Sequence, residues 1–170
     1  MIVPEKIIAE IVATIPAIQV NAYMLLSPKY GDGDKKELNR WLSKKKDENA
    51  YPLVWLLPAK EDHQFYGKEL VRKCQFIIAT RESNEDLFNS ERYLKAFDIV
   101  LLPLTEMLIQ GLTRSQKTSL VGQDWTISKY PNYSEVDENF TIDLWDALKL
   151  DIEIRFNNNK CLGTINYGKV

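Results

Sequence analysis

Histidine is almost missing from this sequence. His63 stands alone among 170 residues, so a Ser/His/Asp or Cys/His pair would have to be built around it. No Gly-x-Ser-x-Gly elbow surrounds a serine, and neither cysteine has the setting of an activated thiol. Two cysteines, Cys74 and Cys161, are too few for a disulfide framework; Cys74 lies in an apolar strand pattern and reads as a buried free thiol. The seven glycines are scattered, which removes the spaced cradle that phosphate binding needs. No apolar run approaches the roughly 20 residues that span a bilayer, and the N-terminus has no signal-peptide layout, because Pro4, Glu5 and Lys6 precede a short helical pattern that carries Glu10. A reducing, cytoplasm-like compartment is therefore expected. Charge of one sign is lacking too: the net charge of −2 gives no global attraction to nucleic acid or an anionic membrane.

What is present is an ordinary globular composition, 45% hydrophobic and 27% charged, long enough for one domain with a real core. Pro4 suits the first turn of a helix whose Ile7, Ile8, Ile11, Val12 and Ile15 recur at helical spacing before Pro16 ends it. A less regular apolar segment follows from Val20 to Leu26, and Pro28, Gly31 and Gly33 mark a turn. Asp34 and Glu37 form an acidic capping box for a second helix with Leu38, Trp41 and Leu42 on one stripe. Lys44, Lys45 and Lys46 then fall in its last turn, where cations suit the helix dipole.

Tyr51 to Leu57 and Leu70 to Thr80 read as two strands of an antiparallel hairpin, the second with Cys74, Phe76 and Ile78 on one face. The polar connection from Pro58 to Gly67, which holds His63 and Tyr66, would then be a long, projecting loop. Asn84 or Ser90 caps the main helical region. There Leu94, Phe97, Leu101, Leu104, Leu108 and Leu112 make one stripe, interrupted by Pro103, which predicts a kink or a break. Trp125 to Tyr130 reads as a third strand, and Pro131 to Asn139, with Tyr133, as an acidic loop at the rim.

The clearest signal comes last. From Leu148 to Phe156 apolar and charged residues alternate without an error, so Leu148, Leu150, Ile152, Ile154 and Phe156 face a core while Lys149, Asp151, Glu153 and Arg155 face solvent. Asp151 and Glu153 point the same way and could share a divalent ion, as in a small metal-dependent nuclease or hydrolase. The cations Lys149 and Arg155 on that face favour a row of cross-strand ion pairs instead. Asn157 to Asn159 make a turn, and Cys161 to Tyr167 is a short last strand or an arm. The expectation is a single α+β domain over 1–170 with a C-terminal extension at 157–170. Its mostly antiparallel sheet is packed by the N-terminal helix and the longer amphipathic helical region, with neither cofactor nor metal.

The residues Tyr51-Pro52-Leu53-Val54-Trp55-Leu56-Leu57, Cys74-Gln75-Phe76-Ile77-Ile78-Ala79-Thr80, the helix around Leu94 to Leu112, and Trp145-Asp146-Ala147-Leu148 stand in a characteristic order. Over roughly residues 1–156 that order resembles bacteriophage tail terminator (tail completion) and related head-to-tail connector proteins. The match is one of arrangement, and no single motif carries it. The chain departs from the family's simple pattern in the Asp34 to Lys46 helix, the Pro103 interruption and the extension after Asn157. The resemblance implies a non-catalytic virion subunit, assembled in the host cytoplasm. It would form a homo-oligomeric ring between portal or adaptor and tail, with DNA passing nearby without sequence-specific binding. Lys149, Asp151, Glu153, Arg155, His63, Tyr66 and Tyr133 are then the candidate subunit-interface residues. A small nuclease or hydrolase, and a non-viral α+β interaction module, are the alternatives.

Overall fold

The computed structural model describes residues 2–44, 50–59, 62–65 (backbone alone), 68–81, 88–131, 133, 145–159 and 161–168. Helix α1 (Pro4–Thr14) begins at its proline and buries Ile7, Ile8, Ile11 and Val12. A small hairpin follows, β1 (Ile18–Asn21) and β2 (Met24–Leu26), then β3 (Lys29–Asp32) and helix α2 (Lys35–Lys44). The capping box closes as expected: Glu37 N–H donates to Asp34 Oδ1 at 2.8 Å, and Asp34 N–H donates to Glu37 Oε2 at 2.9 Å. Lys45 and Lys46 lie outside the described residues.

Strands β4 (Leu53–Leu56), β5 (Asp62–Phe65), β6 (Glu69–Arg81), β7 (Thr118–Tyr130) and β8 (Trp145–Asn157) complete a six-stranded sheet. Its order is β3-β4-β6-β8-β7, with β5 also on β6, and every pairing is antiparallel except β3 on β4. The fold is α+β.

Two expectations change here. The segment with Gly31 is a strand rather than a turn, because β3 adds to β4 and the Trp55 ring packs where a Gly31 side chain would stand. The Pro58 to Gly67 connection is not simply a projecting loop: β5 pairs with the first part of β6, Asp62 opposite Arg72 and Phe65 opposite Glu69, while β4 pairs with the later part.

The period-two pattern of β8 sorts the layers. Leu148, Leu150, Ile154 and Phe156 have no exposed surface and Ile152 only 5%, all beneath the helices. Burying each such side chain contributes roughly 1.5–3 kcal/mol relative to leaving it in water. Helix α1 and a long helical region cover this inner face. That region runs without a break from α3 (Asn89–Arg92) through a π-helical segment (Tyr93–Leu101) into α4 (Leu102–Arg114).

Pro103 therefore changes the winding rather than breaking the helix. In an α register its ring would press on the Ile99 carbonyl; the wider turn lets Leu102 N–H donate to the Phe97 carbonyl five residues back. The wider turn also shifts the phase of the stripe, so Phe97 is buried with Tyr93 against it while Leu94 is 64% exposed. Leu94 is thus a surface residue and not part of the core stripe. The start differs as well: Glu91 accepts from Phe88 N–H, Ser90 lies inside the first turn, and Asn84 is outside the described residues.

By length and composition Asn89–Arg114 is apolar enough to cross a membrane, contrary to the reading of the sequence, and 56% of its most apolar window is buried in the core. It is fixed there by a fully buried ion pair, Arg92 on Asp146 of β8 at 3.2 Å.

The outer face carries a second core at one end. Leu38 and Leu42 of α2, Tyr51, Trp55, Ile77, Tyr133, Trp145 and Ala147 meet there, with Trp41 edge-on to Trp55 at 5.9 Å. Beyond β8, residues 161–168 form an arm without regular structure. Leu162, Ile165 and Tyr167 pack on the main core, and Gln116 N–H donates to the Leu162 carbonyl at 2.7 Å.

Gly31 gives a direct test of this packing. Its replacement by alanine drives a methyl into the Trp55 ring, which is 1% exposed and tethered through Nε1 to the Gly33 carbonyl at 2.8 Å. Gly31→Ala is expected to lower unfolding free energy by about 1–3 kcal/mol, measured as a lower urea midpoint at unchanged slope.

Candidate functional site

Away from the second core, the outer face of β6, β8 and β7 is polar. Register sets its composition. Lys73 stands opposite Glu153, Gln75 opposite Asp151, Val71 opposite Arg155, and across the other side Thr126 faces Asp151 and Ser128 faces Lys149. Between Leu120 and Trp125 the register of β7 slips, and Gly122 takes φ +76° there, a conformation that other residues rarely adopt. The bulge places Asp124 and the 41% exposed Trp125 beside β8.

The result is a cleft of about 690 Å³ lined by Lys73, Gln75, Asp124, Thr126, Asp151 and Glu153, among others. The sequence-level pairing of Asp151 with Glu153 is thus real in space. Lys73 and Asp124 were not singled out from the sequence, because only strand register and the bulge bring them in.

The expected row of cross-strand ion pairs takes a different form. Arg155 reaches Glu69 at 3.8 Å, a half-exposed contact worth about 0.2–1 kcal/mol at most. Lys149 turns instead to aromatic rings, its ammonium 4.9 Å from the centre of Tyr130 and 5.5 Å from that of Tyr133. Both flanking cations are drawn away from the cleft. Asp124, Asp151 and Glu153 are left there with Lys73, three carboxylates against one ammonium.

Tyr133 is corrected from a rim residue to a core residue. Its ring is 1% exposed and stacks on Trp145 at 5.9 Å, so it presents no surface to another chain. Trp145 Nε1 in turn donates to the Tyr51 hydroxyl. His63 is placed by its backbone opposite Val71 on β5, and Tyr66 lies outside the described residues.

Another ionisable group set lies beside α1. Burial first, then the charges of Glu5 and Glu37, holds Asp32 above the usual carboxylate range; burial and Asp32 raise the Tyr30 hydroxyl. Glu5 pairs with Arg72, which ties α1 to the sheet. Among the described residues, no group of three or more His, Cys, Asp or Glu side chains is placed to hold a metal ion. Comparison of the sequence with protein-family models and with curated proteins finds no match.

The aromatic end of the face has a pH signature. Burial, and then Tyr130, pushes the Tyr133 hydroxyl up to about 12 from an ordinary 10.0. Because the folded chain holds this phenol neutral, its contribution is fully present below pH 10 and is lost as pH rises through about 12. Among the described residues its hydroxyl meets no acceptor. Tyr133→Phe is therefore expected to leave stability at pH 7 unchanged or slightly raised, and to flatten the alkaline loss when unfolding is followed between pH 9 and 12.

Proposed function

We propose that this chain is a structural, non-catalytic subunit of a bacteriophage head–tail connector or tail completion ring, packed side by side with copies of itself around the DNA channel. The observation that carries the reading is the outer face of β6, β8 and β7, which beyond the second core is covered by no other element among the described residues. Three strands of 13 residues each end in an edge, β7, which among the described residues pairs only with β8. Long edges with free backbone donors and acceptors invite pairing or covering by another chain. The β1–β2 hairpin supports the same reading, since Tyr23 is 99%, Leu25 67% and Met24 48% exposed. Apolar side chains so placed are suited to burial against a neighbour. The order of elements adds the resemblance already described.

A second reading, a metal-dependent nuclease or hydrolase, rests on Asp151 and Glu153 sharing the cleft. Cleavage of DNA with magnesium or manganese that both Asp151→Ala and Glu153→Ala abolish would favour it over the ring. For a non-viral interaction module, the neighbouring genes decide: portal, capsid and tail genes are expected beside this one.

Negative-stain imaging and light scattering of the purified protein, alone and with the adjoining ring proteins, test the proposal. Rings or ring-sized particles are expected. A chain that stays monomeric at every concentration and joins no such ring contradicts it.

A further inference from the structure

Helix α2 carries an unexplained stripe. Lys36, Arg40 and Lys44 follow one another at intervals of four, all exposed, on the side opposite Leu38 and Leu42, which face the sheet. Like charges at this spacing repel within an isolated helix; the helix dipole favours Lys44 in the last turn but does not account for Lys36 or Arg40. Towards the β7 edge of the same outer face lies its complement. The cleft over β6, β8 and β7 holds Asp124, Asp151 and Glu153 against Lys73, a net charge of −2, and its two flanking cations are engaged with Tyr130, Tyr133 and Glu69.

We infer that the Lys36/Arg40/Lys44 stripe of one copy docks in the Asp124/Asp151/Glu153 cleft of the next. The spacings agree. Four residues of helix rise about 6 Å, and two residues of strand about 6.6–6.8 Å, so two successive cations match the step from Asp151 to Glu153 along β8, with Asp124 beside them on β7.

The topology sets the symmetry. Helix α2 stands over the β3–β4 side, with Trp41 on Trp55, whereas the cleft opens over the β7 side. Two different patches at opposite sides make a heterologous contact, which closes into a ring when the rotation between copies allows. Duplex DNA is the other polyanion that such a stripe could meet. The second copy is favoured because the same chain presents the matching acidic cleft. The contact deepens the ring reading and rests on it.

The experiment is a charge swap followed by sedimentation velocity. Lys36→Glu/Arg40→Glu/Lys44→Glu reverses the stripe, and Asp124→Lys/Asp151→Lys reverses the cleft; circular dichroism checks that each folds. Asp124→Lys alone, on the exposed bulge, serves if the cleft pair does not. Each variant by itself should associate at least about tenfold more weakly than the wild type, and an equimolar mixture of the two should recover association. Wild-type association should weaken as salt rises, because the Debye length falls from about 10 Å at 0.1 M to about 3 Å at 1 M.

Rings that persist in either variant overturn the contact but leave the ring reading standing. A wild type that never associates overturns both. Binding of wild type to a short duplex DNA, lost in the stripe variant while self-association is unchanged, assigns the stripe to nucleic acid and overturns the inference.

Discussion

Strand β8 serves two environments at once, and the other elements are arranged around that demand. Paired along its full length with β6 and along most of it with β7, it cannot slide by one residue without turning five core side chains into water and four charges into the core. The helical layer is bound to the same strand by the buried Arg92–Asp146 pair. Removing one partner of such a pair leaves an uncompensated buried charge at a cost of about 3–5 kcal/mol, so helix and strand are positioned together. With the inner face fixed, the outer face follows by alternation, and its chemistry is whatever β6 and β7 bring opposite β8.

Much of this was legible in the residues. Helix α1, the capping box of α2, the β4–β6 pairing and both faces of β8 come from patterns that are local and periodic. The misread parts all depend on contacts distant in sequence. Leu94 looks like core at a spacing of three or four, but the wider winding ahead of Pro103 turns it out. Gly31 looks like a turn because glycine usually marks one; here it is a strand residue that yields space to Trp55, 24 positions away. Tyr133 sits among acidic loop residues, and only the stack on Trp145 shows it to be buried.

The outer face was partly legible for the same reason. Alternation gave Lys149, Asp151, Glu153 and Arg155 a common side, but not what each one does there. Tyrosine rings claim Lys149 and Glu69 claims Arg155, so the cations that appeared to neutralise the carboxylates stand apart from them. Separation of charge along one face, rather than its pairing, is what the proposed contact between copies would use. A monomer gains little from three carboxylates and one lysine in an open cleft, whereas a repeated contact between unlike patches gains both attraction and register.

Amide hydrogen exchange, compared between dilute and assembled protein, tests most directly whether the open sheet face is the seam. Amides along β7, together with those of α2, are predicted to slow on assembly, while the already buried amides of β6 and β8 change little. Unaltered exchange across β7 and α2 in an assembled particle would contradict the account.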